Sequence, residues 1–143
     1  MRILVINPGS TSTKIAVYVD ELAYLVKNIR HSVEELANFP EVMDQFEFRK
    51  QLVVEELERQ GIPFNFDVVI GRGGLLKPLP GGVYEVNEVM IHDTRYAIRS
   101  HACNLGCLIA ADLASSLPGC RAFIADPGAV DELDDVARIT GSP

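Results

Sequence analysis

The strand–turn–strand pattern at the start of the chain decides the predicted fold. It reads MRILVINPGSTSTKIAVYVDE over residues 1–21. The apolar run 3–6 and the β-branched, apolar run 15–19 predict two strands joined by a turn. A turn needs only one or two small polar residues, yet every residue from 9 to 14 is small or polar. That excess favours a ligand-binding segment.

The rest of the chain predicts alternating strands and helices. A third strand is expected over residues 23–30. Ser32 and Glu35 form a capping-box pattern for a short helix, and residues 40–60 carry the apolar stripe of a longer one. Strands are expected at 67–70 and 122–125, and helices from near Asn87 and from Asn104 to Leu117. This order predicts an α/β domain whose mixed sheet is buried by helices on both faces.

Charge and hydropathy exclude several classes of function. The formal net charge of −7 argues against a nucleic-acid-binding surface and against docking on anionic lipid. No run is long and apolar enough to span a bilayer, and the first residues lack a secretory pattern, so a cytoplasmic protein is predicted. Residues 32–61 are rich in acids, and we interpret them as a solvated helix face.

The segment NPGSTSTK, residues 7–14, is not a Walker phosphate loop. Thr13 stands where that loop has its second glycine, and Ile15 follows the lysine. Backbone N–H groups, hydroxyls and an ammonium group could still converge on phosphate oxygens. The groups concerned belong to Gly9, Ser10, Thr11, Ser12 and Lys14, and Asn7 could orient a metal-bound water. The alternative is a polar hairpin turn without a ligand.

Three further residues are candidates for chemistry. Arg72 follows a buried strand between two glycines, and its guanidinium fits a carboxylate or phosphate bidentately; the alternative is an arginine that pins a loop. His101 precedes a helix, where a neutral, hydrogen-bonding imidazole is the simpler interpretation. Asp126 ends a buried strand, where α/β sheets gather ligands, and could hold magnesium through water; it could equally cap a loop.

The motifs around these candidate residues, in this order along the chain, resemble those of the acetate and butyrate kinase family. VINPGSTSTK is similar to that family's signature N-x-G-S-x-S-x-K. Four further stretches resemble the butyrate kinase branch more than the acetate kinase branch: DQFEFRK, GRGGLLKPLPGGVY, SHACNLGCLIAADLA and FIADPGAVDEL. The resemblance covers essentially the whole chain.

The resemblance implies a fold and an activity. The fold is the ribonuclease-H-like domain shared with sugar kinases and actin-like ATPases. The activity is reversible, Mg²⁺-dependent phosphoryl transfer between ATP and a short-chain carboxylate, which gives an acyl phosphate and ADP.

The resemblance also implies roles for individual residues. Asn7 belongs to the magnesium and phosphate region. Gly9, Ser10, Ser12 and Lys14 belong to the phosphate-facing hairpin. Arg72 binds the carboxylate and the transferring phosphoryl group, His101 lines the acyl pocket, and Asp126 lies near the metal and the nucleophile.

The length departs from that family, whose members have two domains and are more than twice as long. Residues 1–143 are therefore expected to be an amino-terminal domain without the carboxy-terminal nucleotide-binding domain, inactive alone and a homo-oligomer when full length. Two alternatives stay open. One is a non-catalytic module that binds a carboxylate or phosphate or serves in protein interaction. The other is half of an acetate or propionate kinase.

Overall fold

The computed structural model describes residues 1–74 and 77–128. Its strands are β1 (Arg2–Pro8), β2 (Ser12–Val19), β3 (Leu22–Arg30), β4 (Val68–Arg72), β5 (Val83–Glu85) and β6 (Arg121–Ala125). Its α-helices are α1 (Val33–Leu36), α2 (Phe46–Arg59), α3 (Glu88–Arg95) and α4 (Asn104–Ser115), and a 3-10 helix spans Val42–Gln45. Residues 129–143, which include the end of the stretch FIADPGAVDEL, lie outside the described residues.

The strands form one mixed sheet in the order β3-β2-β1-β4-β6-β5. β1, β2 and β3 make an antiparallel meander, β1, β4 and β6 run parallel, and β5 is antiparallel to β6. The α/β class with a mixed sheet and flanking helices is confirmed. β5 was not predicted, because three residues in a loop rich in glycine and proline are too few for an alternating pattern.

The core lies between one face of the sheet and helices α2 and α4. Alternate residues of β1 and β2 are fully buried on that face, and so are the inward residues of the two helices. The principal members are Leu4, Ile6, Ile15, Val17, Val53, Leu57, Leu105 and Ile109. α4 is apolar on almost every side because α3 covers the part that the sheet does not. Within the described residues no helix is long and apolar enough to cross a membrane.

Two expectations about burial and helix length need correction. The prediction of a sheet buried on both faces is wrong for β3, which lies at the sheet edge with Leu22, Tyr24 and Val26 at least 70 % exposed. The helix expected over 40–60 begins later as an α-helix, at Phe46, after the 3-10 turn. The capping box is confirmed: the Glu35 N–H donates to Ser32 Oγ at 3.1 Å, and the Ser32 N–H donates to Glu35 Oε2 at 2.7 Å.

A glycine-to-glycine contact sets how closely α4 approaches the sheet. A methyl group at Gly71 in β4 would overlap the carbonyl of Gly106 in α4 and lie 2.9 Å from the Cys107 nitrogen. A methyl group at Gly106 would in turn lie 2.9 Å from the Arg72 carbonyl oxygen. Because these are backbone atoms, no side-chain rotation relieves the overlap. The two glycines therefore bring the start of α4 against the end of β4.

We expect Gly71→Ala to lower the free energy of unfolding by about 2–3 kcal/mol, the usual cost of overpacking a dense interior. The matched control is Gly61→Ala, where no atom lies within 4 Å of the new methyl group. The control should cost only about 1 kcal/mol, for a left-handed backbone at φ 64°. Urea denaturation followed by circular dichroism measures both. Equal losses would contradict the steric account.

Candidate functional site

The predicted site residues gather at the edge of the sheet where the parallel strands end. Ile6 lies opposite Gly71, so Asn7 at the end of β1 neighbours Arg72 at the end of β4. Arg72 lies opposite Ala125, and Asp126 follows directly. Lys14, near the start of β2, lies opposite Asn7. Four of the candidate residues therefore come from four adjacent strand ends, as ligand sites of open α/β sheets do.

Three of these polar residues and the core residues lie on opposite faces of the sheet. By strand register, Asn7, Lys14 and Arg72 lie on the face of the sheet that points away from α2 and α4. Their neighbours Ile6, Thr13 and Gly71 are buried on the opposite face, which carries the core. With one strand between them, Lys14 and Arg72 lie about 10 Å apart at the backbone. Their side chains can thus approach one anion from two sides, with the half-buried Asn7 between them.

The turn itself is shorter than the sequence indicated. Only residues 9–11 lie outside the strands, and the Gly9 N–H donates to the Ser12 carbonyl at 2.7 Å to close the turn. Ser12 and Lys14 belong to β2, where Ser12 is half-buried and Lys14 is exposed. Thr13 is fully buried and faces the core. The interpretation of 9–14 as one polar loop is wrong, because β2 begins two residues before Lys14.

The charged groups at this edge carry no partner of their own. In the part of the chain that the structure describes, the side chains of Asn7, Lys14, Arg72 and Asp126 take part in no hydrogen bond or ion pair. The Lys14, Arg72 and Asp126 side chains are also exposed. Charged groups that are held near one another and left unpaired are available to a ligand.

Asp126 sits in a strained backbone conformation. Its φ is 45°, in the left-handed region that aspartate tolerates better than most residues. The neighbouring loops fix it there: the Asp126 N–H donates to the Gly82 carbonyl at 3.0 Å, and the Gly73 N–H donates to the Ala125 carbonyl at 3.1 Å. Strained positions that the surroundings enforce concentrate at functional sites.

His101 lies before α4, as predicted, and is exposed. A methyl group at Gly73 would lie 2.9 Å from Cys103 Cβ, so the start of α4 packs against the residue that follows Arg72. The Cys103 N–H donates to His101 Nδ1 at 3.2 Å. Nδ1 is therefore an acceptor, and a neutral imidazole carries its proton on Nε2, where it can donate to a ligand.

The structure adds a residue that sequence reasoning missed, the fully buried Arg49 of α2. Its Nη1 donates to the carbonyls of Gly9 at 2.8 Å and Ser12 at 3.0 Å, and Nη2 donates to the carbonyl of Ser10 at 3.2 Å. The solvated-face interpretation of 32–61 is wrong here. The sequence contains an indication of this burial, since Arg49 lies three residues after Phe46 and four before Val53, on the apolar stripe of the helix.

A buried polar chain continues from Arg49 to His31. Arg49 Nη1 donates to Thr13 Oγ1 at 3.1 Å, and Thr13 Oγ1 lies 2.9 Å from His31 Nε2. Arg49 Nε also donates to Gln45 Oε1 at 2.9 Å. Burial lowers the pKa of Arg49 to about 10, so the guanidinium stays charged at neutral pH. Burial, and then the nearby Arg49 charge, lower the pKa of His31, so His31 is neutral.

A magnesium ion could find only part of its coordination shell here. Among the described residues no group of three or more His, Cys, Asp or Glu side chains could hold a metal. Asp126 offers a free carboxylate and Asn7 an amide oxygen, which are hard oxygen ligands. Mg²⁺ commonly takes one or two protein ligands and completes its shell with water and substrate phosphate, so these two residues fit that pattern.

The fold of the chain is similar to that of an acetate kinase of known structure. An acetate kinase from Entamoeba histolytica matches the whole chain over 39 % of its own length, with a TM-score of 0.54 and 13 % sequence identity. At that identity the match shows the fold alone, the acetate kinase type of α/β domain. No model of a known protein family matches the chain.

Sequence similarity then points to one branch of that class. A probable butyrate kinase from Bacteroides thetaiotaomicron is 73 % identical over all 143 residues, and one from Phocaeicola vulgatus is 52 % identical over the same length. The chain spans 40 % of the length of each of these curated relatives. It is thus a homologue, along its whole length, of the amino-terminal part of the butyrate kinases.

The lowered pKa of His31 makes the stability of the fold depend on pH. Below the ordinary histidine pKa of about 6.5, His31 takes up a proton in the unfolded chain, whereas its lowered pKa disfavours protonation in the native state. The stability from a neutral His31 is therefore present above that pH and lost as the pH falls. We expect the free energy of unfolding to drop between about pH 7.5 and about pH 5.5, and to drop less in His31→Gln, which keeps a polar partner for Thr13. Urea titrations at the two pH values measure this; identical drops would exclude His31 as the cause.

Proposed function

We propose that this chain supplies the amino-terminal half of the active site of a butyrate kinase. The reaction is reversible, Mg²⁺-dependent phosphoryl transfer between ATP and butyrate or a related short-chain carboxylate, giving an acyl phosphate and ADP. The observation that carries the proposal is a pair of cations, Lys14 and Arg72, which lie on one face of the sheet edge and have no partner among the described residues. The 73 % identity to a probable butyrate kinase supports the choice of substrate class.

Positioning and positive charge are what this chemistry requires. A carboxylate is ionised at neutral pH and is already a nucleophile, so no strong general base is needed. The obstacle is the repulsion between the carboxylate and the phosphoryl group, both of which are anions. The fork of Arg72 can hold oxygens of both reactants, and Lys14 with the turn amides can hold phosphate oxygens. These groups lower the barrier by aligning the reactants and stabilising the transferring phosphoryl group.

Asn7 and Asp126 would hold a magnesium ion together with water and phosphate oxygens. When bound, the ion neutralises charge on the nucleotide phosphates. Asp126 emerges beside Arg72 from the neighbouring strand, so a carboxylate and a guanidinium lie at the same edge without pairing to each other. The Nε2–H of His101 would donate to the acyl substrate from the start of α4.

The exposure of the site explains why we expect no activity from these residues alone. Lys14, Arg72, His101 and Asp126 are all exposed, whereas phosphoryl transfer needs a cleft that excludes water. The relatives are longer by more than the length of this chain. The proposal therefore includes a second, nucleotide-binding domain that covers this edge of the sheet. It also includes a homo-oligomeric whole enzyme and a cytoplasmic location, where ATP is supplied.

The test measures acyl phosphate, trapped with hydroxylamine, in mixtures with magnesium, ATP and butyrate. The 143-residue chain is assayed alone and with the separately produced remainder of the Bacteroides thetaiotaomicron relative. We expect turnover only in the mixture. Arg72→Ala should lower it by roughly 100- to 1,000-fold, because one well-placed transition-state donor typically contributes that much.

The matched control is Arg121→Ala. Arg121 is also an exposed strand arginine, but it begins β6 at the opposite edge and pairs with Glu85 at 2.7 Å. It should leave turnover unchanged. Equal activity of Arg72→Ala and the unmodified chain in the mixture would refute the assigned role. Phosphate or carboxylate binding without turnover in any mixture would favour the non-catalytic module.

A further inference from the structure

Arg49 is a buried cation without an acidic partner. Its side chain is fully buried, and within residues 1–74 and 77–128 it forms no ion pair. Within those residues its five hydrogen bonds all go to neutral oxygens, among them the Gly9 and Ser10 carbonyls of the turn and the Ser12 carbonyl at the start of β2. A buried charge costs several kcal/mol unless it is compensated. A protein that only needed to fill this space could do so more cheaply with an apolar side chain.

The guanidinium fixes the direction of the turn's peptide groups. In a trans peptide the carbonyl and the following N–H point in opposite directions. The Gly9 and Ser10 carbonyls point to Arg49, so the Ser10 and Thr11 N–H groups point away from it. Neither N–H donates a hydrogen bond within the described part of the chain. Two adjacent amides that have no acceptor among the described residues, on the side of the turn away from a buried cation, are a donor set of the kind that binds oxyanions.

We infer that Arg49 is a positioning residue for the phosphate site of the turn. It holds three carbonyls inward, which turns the Ser10 and Thr11 amides toward the ligand, and its charge adds a favourable potential beneath the bound oxyanion. It touches neither the phosphate nor the reacting atoms. This role rests on the proposed function, since that function places a phosphate on the turn.

The same contacts explain why a lysine cannot replace this arginine. The planar fork reaches the Gly9, Ser10 and Ser12 carbonyls together with Thr13 and Gln45, from three different nitrogens. A lysine ammonium keeps the charge but donates from a single point and cannot satisfy these separated acceptors. Two substitutions therefore separate the two effects of Arg49. Arg49→Lys keeps the positive charge but loses the hydrogen bonds that orient the carbonyls, whereas Arg49→Met loses both the hydrogen bonds and the charge.

The experiment titrates the 143-residue chain with inorganic phosphate and follows the Ser10 and Thr11 amides by nuclear magnetic resonance. We expect phosphate to shift these amides in the unmodified chain. Binding should be at least about tenfold weaker in Arg49→Lys, the effect of losing one or two hydrogen bonds to a charged group, and weaker still in Arg49→Met.

Two controls lie on the same helix. Lys50→Met removes the same charge from a residue paired with Glu47 and Asp112, and Val53→Ala lowers stability from the core without touching the turn. Both should bind phosphate like the unmodified chain. If Arg49→Met does not fold, the phosphate affinity of Arg49→Lys alone tests the positioning role.

Three outcomes would overturn the inference and can be told apart. Absence of phosphate binding in the unmodified chain would remove the phosphate site of the proposed function, and the role of Arg49 with it. Unchanged phosphate affinity in folded Arg49→Lys would leave the site in place and show that Arg49 serves stability alone. An equal loss of affinity in Val53→Ala would also overturn the role, because the loss would then follow stability.

Discussion

The hydrogen bonds from the buried Arg49 guanidinium to the turn are the constraint on which the candidate site depends. They tie helix α2 to the β1–β2 hairpin and, through Thr13 and His31, to the end of β3. A three-residue turn has little internal means of holding one shape. Here its carbonyls are fixed from below, so its amides and the neighbouring side chains keep a defined direction.

A second constraint, the Gly71–Gly106 contact, brings the other half of the site into place. It sets α4 directly against the last residues of β4, and thereby places the His101 segment at the edge that carries Arg72. The turn and the strand ends thus meet at one edge of the sheet. At this edge Lys14, Arg72 and Asp126 are exposed, and their side chains have no partner among the described residues.

Local patterns carried much of the prediction. The hairpin, the Ser32–Glu35 capping box and the start of α4 at Asn104 follow from strand runs, turn chemistry and helix signals. A shared site for Asn7, Arg72 and Asp126 is what the family resemblance implies. The position of Arg49 on the apolar stripe of α2 indicates burial, but the acceptors of its guanidinium could not be predicted in that way. A charge among acids is usually solvated, and only the tertiary position of the Gly9, Ser10 and Ser12 carbonyls makes burial of this one tolerable. The length of the turn and the short β5 likewise depend on pairing with distant strands.

The most direct test of the central claim, that the turn and the ends of β1, β4 and β6 form one oxyanion site, is a crystal structure of the chain grown with pyrophosphate. The account predicts an anion in hydrogen-bond contact with both the Ser10–Thr11 amides and the side chain of Arg72 at the end of β4. An anion bound away from this edge, or Lys14 and Arg72 paired with protein carboxylates, would contradict it.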